Sequence, residues 1–366
     1  MRFPEFWGEW GDTTLGRCAK DPLDYGMNAA AADYDGENKY IRITDIDENS
    51  SQYISNNPVS PAGELSDKYI VEPNDILFAR TGASTGKTYL YKKEDGRLYF
   101  AGFLIRARIK PEHNSAFIFA QTQTTQYQKW VQFMSIRSGQ PGINSQEYAS
   151  YKFLIPKKDE QNKIAKFLSL LDERIATQSQ IIEKYESLIK GLTHFILNGK
   201  QANVRLKDCV ACNSSTLTES EFEGIDGLYP VYGATGIIAY SPQCTVDEDS
   251  ILVIKDGANV GRVQYVTGKY STIGTLNYLT VKNGFSLRYI YYLLRCFNFD
   301  KYKMGSGIPH VYFKDYGNKL IFCPPIEEQN KIARMLSLVE EKLVLEGILL
   351  NAYSLHKQYM LKNIFI

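Results

Sequence analysis

Cysteine and histidine are scarce in this chain of 366 residues, which holds six cysteines and four histidines. The cysteines are scattered, which in a chain of this length is typical of reduced thiols, so we expect a cytoplasmic protein. The histidines occur at no metal-ligand spacing. Cys209 and Cys212 form a C-x-x-C pair without a second pair or a nearby histidine, which makes zinc binding a weak interpretation. Leu206 to Cys209 instead matches Leu15 to Cys18, and this favours a packing position in a repeated strand.

Long apolar runs are also lacking. The opening MRFPEFWGEW has no apolar segment of the kind that signal peptides carry, and no window approaches a membrane span. We therefore expect no membrane segment. A Gly-x-Ser-x-Gly elbow, a nucleophilic Cys/His pair and a glycine-rich dinucleotide loop are absent from the sequence as well. Nothing in these residues proposes an active site, a bound metal or a cofactor.

One segment, GASTGKT at 82–88, superficially resembles a phosphate-binding P-loop. The P-loop needs four residues between its glycines, and this segment has three. The matching segment at 257–263 reads GANVGRV, which has no hydroxyl after the basic residue to hold Mg²⁺. Residues 89–109 favour further strand over the helix that would follow a P-loop. The pattern therefore argues against nucleotide hydrolysis.

The most regular pattern lies between Pro156 and Gly199. Apolar residues recur there in alternating steps of four and three, interrupted once by Gln178, and charges fill the other positions. Such a 3.5-residue repeat is the seam of a coiled coil. About 40 residues at about 1.5 Å each make a helix of about 60 Å, which needs a partner. The positions that we assign to the seam are Ile164, Leu168, Leu171, Ile175 and Ile182.

The partner helix is predicted in the same chain. The hexapeptide EQNKIA at 160–165 returns unchanged at 328–333, and the heptad phase continues after it, with Glu346 in the place of Gln178. Two unrelated amphipathic helices on two separate cores remain the plainer alternative. The corresponding seam positions are Ile332, Leu336, Val339, Leu343 and Leu350.

The repeat extends beyond the helices. Both halves contain an apolar strand, a basic residue, a Gly-Ala-x-x-Gly turn and a second basic residue, at 75–87 and at 250–262. SGQPGI at 138–143 matches SGIPHV at 306–311, and helices are predicted before them at about 114–134 and 286–299. We predict an α+β fold in which two pseudo-symmetric mixed domains are separated by two long helices that form an antiparallel coiled coil. The predicted segments are domain 1 (1–156), long helix 1 (157–199), domain 2 (200–324) and long helix 2 (325–366).

Charge is segregated in the same way in both halves, although the net charge is only +1. Residues 1–72 hold 6 basic and 14 acidic side chains, whereas 73–156 hold 11 basic and 5 acidic. Residues 200–249 hold 3 basic and 8 acidic, whereas 250–324 hold 10 basic and 3 acidic. Each basic segment contains a glycine turn together with Tyr, Ser, Asn and Gln, the side chains that neutralise phosphates and read base edges. This pattern favours double-stranded DNA, although local charge need not form a surface patch.

The glycine turns suggest where DNA would bind. Glycines allow backbone amides to approach a phosphate, and Arg80 with Lys87, or Lys255 with Arg262, flank the turns. A tight turn without any ligand remains the alternative interpretation. On electrostatic grounds, the residues that we expect to contact DNA are Arg80, Lys87, Arg137, Ser138, Gln140, Lys255, Asn259, Arg262, Ser306 and His310.

Taken together, these motifs resemble the specificity subunits of Type I restriction–modification enzymes over essentially the full chain. The resemblance rests on the opening RFPEFWGEW, the Gly-Ala-x-x-Gly turns, the Ser-Gly-x-Pro segments and the duplicated Pro-x-x-x-Glu-Gln-x-x-Ile-Ala at 156–165 and 324–333. It implies a non-catalytic, phage-defence subunit with two target recognition domains, each reading half of a bipartite DNA site.

The same resemblance implies partners and cofactors. Two modification (methyltransferase) subunits would dock on the paired helices, which fix the spacing, and restriction subunits (ATP-dependent translocase and nuclease) would join them. AdoMet, Mg²⁺ and ATP would belong to those partners, and no cofactor is expected in this chain. Two other classes stay open: a structural adaptor that holds two protein-binding domains apart, and an enzyme acting alone.

Overall fold

The computed structural model describes residues 2–136, 140–305 and 307–365. The chain forms two compact units, one made of the residues up to 177 and those from 350 onward, the other of residues 178–349. Helices and sheets occur in both units, which confirms the predicted mixed α+β fold. The boundaries of the four predicted segments stay a prediction.

The sheet at the centre of the first unit has the strand order β2-β9-β6-β7, with antiparallel neighbours. Its strand β6 is buried along its whole length, because both faces of the sheet are covered. Smaller pairings join β1 to β10, β3 to β5 and β4 to β8. The strands are β1 (Gly11–Thr14), β2 (Asp24–Tyr25), β3 (Ala31–Asp33), β4 (Lys39–Ile41), β5 (Val59–Pro61), β6 (Asp75–Ala79), β7 (Thr88–Leu90), β8 (Leu98–Phe100), β9 (Leu104–Arg108) and β10 (Lys152–Ile155).

The helices of the first unit are α1 (Leu15–Cys18), α2 (Ser115–Gln121), α3 (Thr125–Met134), α4 (Ser145–Ala149) and the start of α5 (Lys158–Leu197), with 3₁₀ turns at Ile43–Asp45, Asp67–Tyr69, Gly82–Ser84 and Lys93–Asp95. The single helix predicted at 114–134 is therefore two helices. The Thr124 side chain accepts a hydrogen bond from the Tyr127 amide and begins α3 anew. A threonine that caps a helix satisfies an otherwise unpaired amide, so the break needs neither proline nor glycine.

The second unit repeats this plan. Its sheet β12-β19-β16-β17 is antiparallel, and a second sheet has the order β14-β13-β18-β15. The strands are β11 (Val204–Arg205), β12 (Val210–Ser214), β13 (Tyr229–Gly233), β14 (Gly236–Ser241), β15 (Val246–Asp247), β16 (Ser250–Ile254), β17 (Val263–Val266), β18 (Lys269–Thr272), β19 (Leu276–Val281) and β20 (Leu320–Ile321). The helices are α6 (Leu206–Cys209), α7 (Leu287–Arg295), α8 (Phe313–Tyr316) and α9 (Ile326–Ile364), with 3₁₀ turns at Glu219–Phe222 and Phe299–Tyr302.

Two expectations are corrected in these elements. Cys18 and Cys209 are fully buried packing residues, as predicted, but each ends a one-turn helix and neither lies in a strand. The helix predicted at 286–299 ends at Arg295, and a separate 3₁₀ turn follows from Phe299.

Each unit has its own apolar core, and the long helices take part in both. In the first unit, Ile164 and Leu168 pack with Leu361, Ile364 and the sheet residues. In the second unit, Ile189 packs with Ala333, Leu336 and the α7 side chains. Full burial of one such aliphatic side chain contributes about 1.5–3 kcal/mol, so these positions dominate the packing of the helices.

The two long helices run antiparallel within each unit. In the first unit, Lys357 pairs with Asp172, and Arg174 donates to the Tyr353 hydroxyl, so the order along α9 reverses that along α5. In the second unit, the Gln178 amide donates to Glu346. Every position of the predicted seam is buried or half-buried, while most neighbouring positions are exposed.

The repeated hexapeptide has a specific structural role. Gln161 donates to the carbonyl of Pro156 at 2.8 Å and accepts from the amide of Asn114 at 2.9 Å. Gln329 donates to Pro324 at 2.8 Å and accepts from Ser286 at 2.9 Å. Each buried glutamine thus ties the end of a strand to the start of α2 or α7 and to its own long helix. We call these contacts the glutamine braces.

Within the described residues, no helix is both long enough and apolar enough to cross a membrane.

Candidate nucleic-acid interface

The glycine turn of the first unit follows the buried strand β6. The Gly82 amide donates to the Pro141 carbonyl at 2.9 Å, and the Ile143 amide donates to the Arg80 carbonyl at 2.9 Å. The glycine turn and the described part of the Ser-Gly-x-Pro segment, which sequence analysis singled out separately, therefore lie side by side.

The second unit makes the same contacts. The Gly257 amide donates to the Pro309 carbonyl at 3.0 Å, and the Val311 amide donates to the Lys255 carbonyl at 2.9 Å. We call the two paired segments of each unit, 80–87 with 140–143 and 255–262 with 307–311, its loop pair. Two sequences with few identical residues thus form one backbone arrangement.

The second glycine of each turn is required by packing. Gly86 has φ +91°, and a Cβ there would lie 2.5 Å from the Val131 side chain. Gly261 has φ +88°, and its Cβ would lie 2.6 Å from Phe299. A residue with a Cβ would clash at either position, and both φ angles are in the region that favours glycine.

That backbone amides of these turns approach a phosphate stays a prediction, and the glycines' own amides are already engaged within the protein. All four glycine amides donate within the protein: Gly82 to Pro141, Gly257 to Pro309, Gly86 to Ala79 and Gly261 to Ile254. An anion at either turn would therefore contact the side chains of the loop pair or the amides that lie between the two glycines.

In the first unit, the Arg80 guanidinium lies 4.8 Å from the ring centre of Tyr25, whose hydroxyl accepts from the Ser145 amide at 3.1 Å. Lys87 lies 3.6 Å from the largely exposed Glu48 carboxylate. This surface ion pair is weak, so it leaves the Lys87 ammonium available to another anion. Gln140 is exposed beside Gly82, with its amide nitrogen 3.1 Å from where a Gly82 Cβ would be.

In the second unit, Arg262 is exposed and lines a cavity of about 470 Å³ together with the β13–β14 turn, residues 233–236. The Asn259 carbonyl accepts from the Arg262 amide at 3.1 Å, so Asn259 also holds the turn. Lys255 is half-buried at the start of the turn. His310 lies within hydrogen-bond distance of Asp256, at 2.6 Å from Nδ1 to Oδ1.

Three residues that we expected to contact DNA, Arg137, Ser138 and Ser306, lie outside the described residues. Three other side chains next to the loop pairs are not predicted from the sequence. Tyr25 supports Arg80, and Phe103 is 59% exposed beside the Arg80 backbone, whose amide donates to the Phe103 carbonyl at 3.0 Å. Asp256 was seen only as part of the turn motif. The long sequence separation of these contacts left no local signal that could have found them.

Neither a metal nor a P-loop is supported by the described residues. Within 2–136, 140–305 and 307–365, no three His, Cys, Asp or Glu side chains are arranged to hold a metal ion. After Lys87 the chain enters strand β7 instead of the helix of a P-loop, as the sequence predicts.

Comparison with known proteins also divides the chain into two similar halves. The model of the Type I restriction modification DNA specificity domain matches twice, at residues 27–187 and 199–352, which together are most of the chain. Among solved structures, the S subunit of a Type I restriction-modification system from M. genitalium superposes with a TM-score of 0.66 at 17% identity, covering 98% of this chain and 96% of that one. A structure described as showing complex assembly and conformational transition of the type I R-M system has a TM-score of 0.54 at 17% identity and covers 96% of each chain. At these identities the likeness concerns the fold.

The curated relatives match over shorter stretches. The MjaVIII specificity subunit of Methanocaldococcus jannaschii is 30% identical over 155 residues, 39% of this chain and 36% of that protein. The EcoprrI specificity subunit of Escherichia coli is 27% identical over 109 residues, 30% of this chain and 27% of that protein. A putative type I specificity subunit of Mycoplasma genitalium is 25% identical over 231 residues, 57% of this chain and 60% of that protein. The matched region is thus less than two thirds of each curated relative. With two copies of the family domain, two equivalent loop pairs and two antiparallel long helices, the chain belongs to the Type I restriction–modification DNA specificity family.

Proposed function

We propose that this chain is the non-catalytic DNA-recognition subunit of a Type I restriction–modification enzyme. Each loop pair contacts one half of a bipartite double-stranded site. The observation that carries the proposal is the duplicated loop pair, in which one backbone arrangement presents two different sets of side chains. Equal scaffolds with unequal side chains are suited to reading two unequal half-sites.

The side chains of the loop pairs have two roles in this proposal, contact with phosphates and contact with bases. Arg80, Lys87, Lys255 and Arg262 contact phosphates, which fix position and supply most of the affinity. Gln140, which is exposed, and His310, which is about one-third exposed, contact base edges. Arg137, Ser138, Ser306 and Asn259 belong to the same proposal through their sequence positions alone.

The long helices set the distance between the half-sites and bind two modification subunits, with which restriction subunits associate. The names of the relatives, specificity subunits of restriction enzymes, support this partnership. The seam comprises Ile164, Leu168, Leu171, Ile175, Ile182, Ile332, Leu336, Val339, Leu343 and Leu350. The complete enzyme would work in the cytoplasm, with AdoMet, Mg²⁺ and ATP on the partner subunits.

An adaptor that holds two protein-binding domains apart would also use a paired helix. The basic side chains around both glycine turns favour DNA over that alternative, because a protein-binding surface has no general need for cations at equivalent positions of both halves.

A domain exchange tests the proposal. Residues 200–324 are replaced by the second domain of another family member, and the methylated motif of a host carrying the chain with its modification subunit is sequenced. We expect one half of the motif to change and the other to persist. Changes in both halves, or no bipartite motif with either chain, would contradict the proposal.

A further inference from the structure

His310 is held by an acidic partner that sequence reasoning did not connect with it. Its Nδ1 lies 2.6 Å from Oδ1 of Asp256, and the two backbones form an antiparallel bridge. Both side chains remain about one-third exposed, at 36% for His310 and 31% for Asp256. The pair therefore lies at the surface of the second loop pair, where solvent or a ligand can reach the imidazole.

The imidazole is fixed in position as well. The backbones of His310 and Met304 exchange two hydrogen bonds, of 2.8 and 2.9 Å. The ring lies nearly parallel to that of Tyr312, with an interplanar angle of 18°. Among the described residues, Nε2 has no hydrogen-bond partner, so this atom is the part of the ring left to bind something else.

The carboxylate decides what Nε2 can do. An ionised carboxylate only accepts hydrogen bonds, so the neutral imidazole carries its hydrogen on Nδ1 and presents a lone pair at Nε2. A carboxylate 2.6 Å from the ring also opposes the approach of a phosphate, because like charges repel. The pair therefore suits a neutral hydrogen-bond donor better than the DNA backbone.

We propose that His310, oriented by Asp256, reads one base pair of the half-site bound by the second unit. Nε2 accepts a hydrogen bond from the exocyclic amino group of adenine or cytosine in the major groove, where these amino groups are exposed. Asp256 is a positioning residue that acts through the imidazole. This inference rests on the proposed function and names a specificity determinant within it.

The first unit offers a natural contrast. There, the bridge that corresponds to Asp256 and His310 joins Thr81 to Gly142, and neither residue carries an imidazole or a carboxylate. The proposed reading device belongs to one half-site only, so its removal should leave the other half-site unaffected.

Three variants test the proposal: His310→Ala, Asp256→Asn and, as the matched control in the first unit, Thr81→Ala. An asparagine amide at 256 can donate to Nδ1, which moves the ring hydrogen to Nε2 and turns this atom into a donor. Each full chain is combined with its modification subunits. The methylated motif is sequenced, and binding is measured on duplexes that differ in one base pair at a time.

We expect His310→Ala to reduce the preference at one position of the second half-site by about fivefold, the effect of one lost hydrogen bond. Asp256→Asn should act at the same position and shift the preference towards guanine or thymine, which present acceptors. Thr81→Ala should leave the second half-site unchanged. In the wild-type chain labelled with ¹⁵N-histidine, long-range ¹H–¹⁵N correlations should show His310 with its hydrogen on Nδ1.

An unchanged second half-site in both second-unit variants would overturn the proposal. So would a uniform loss of affinity on all sequences with a shallower salt dependence, which indicates a phosphate contact, or a wild-type ring with its hydrogen on Nε2. Should the wild-type complex give no bipartite motif at all, the proposed function itself fails. If the wild-type complex gives a bipartite motif and both His310→Ala and Asp256→Asn give the same motif, only the proposed role of His310 fails.

Discussion

Gln161 and Gln329 are the residues through which the repeated hexapeptide acts on the fold. Each is almost fully buried, and the side chain of each pairs with one backbone carbonyl and one backbone amide. A buried polar group without a partner costs about 1–3 kcal/mol. Glutamine therefore occurs at this position in both copies because it pairs with equivalent backbone groups in each.

We expect Gln161→Ala and Gln329→Ala each to lower the free energy of unfolding by about 1–3 kcal/mol, since each leaves a backbone amide and a carbonyl unpaired. The measurement is denaturant unfolding, in which the midpoint should fall while the m-value stays unchanged. Asn330→Ala is the matched control, because Asn330 is the exposed neighbour of Gln329 and should change stability by less than about 0.5 kcal/mol. Equal losses in the control and the Gln329 variant would mean that the brace is not the cause.

At the phosphate contacts, we expect Arg80→Ala, Lys87→Ala, Lys255→Ala and Arg262→Ala to weaken binding equally on all DNA sequences. Each loss should make the slope of log K against log salt shallower by about one, because one fewer counterion is released. The measurement is a salt titration of the assembled complex on specific and random duplexes. A changed recognition motif at an unchanged slope would show a base contact instead.

The sequence predicts those parts of the site whose residues are close together along the chain. The glycine turns and the Ser-Gly-x-Pro segments were recognisable because each is a continuous repeated motif. Their pairing was not, since no local pattern reports that Gly82 donates to Pro141. The Asp256–His310 pair and the Tyr25–Arg80 contact join residues from separate segments, and only the folded sheet brings them together.

At the scale of the helices, the heptad pattern distinguishes neighbours two residues apart. Leu336 is 1% exposed and Leu338 is 57% exposed on the same helix. We expect Leu336→Ala to cost about 2–5 kcal/mol, because it opens a cavity in the core of the second unit. Leu338→Ala should remain within about 0.5 kcal/mol. Thermal and denaturant unfolding of both variants measure these losses of stability. A larger loss for Leu338→Ala than for Leu336→Ala would mean that Leu336 is not on the packed face of the helix.

Long periodic elements were easier to predict than short ones. Some forty residues of regular heptads specify a helix by repetition, whereas the break before α3 depends on one threonine side chain that caps Tyr127. The one-turn helix at Cys209 is likewise too short for periodicity to register, which is why the sequence favoured a strand there.

At the scale of the whole molecule, we expect the long helices to determine the gap between the half-sites. One heptad inserted into each helix keeps the seam in phase and adds about 10 Å, since each helical residue adds about 1.5 Å. At about 3.4 Å per base pair, this corresponds to roughly three base pairs, if helix and DNA axes are nearly parallel. Methylome sequencing should therefore reveal a longer spacer.

Four residues inserted into each helix serve as the control, because they add length but break the phase between Leu171 and Ile175. That variant should mainly lose activity. If the heptad variant methylates the original spacing with undiminished efficiency, the helices do not set the gap.

The glutamine braces also have an evolutionary consequence. Because the hexapeptide EQNKIA and its backbone contacts are the same in both halves, a domain that ends in the matching strand and proline meets a helix start that already fits it. We expect a gene fusion that joins two family members within this hexapeptide to exchange one half and to keep the contacts at the junction. Such an exchange would change the binding preference of one half in a single step.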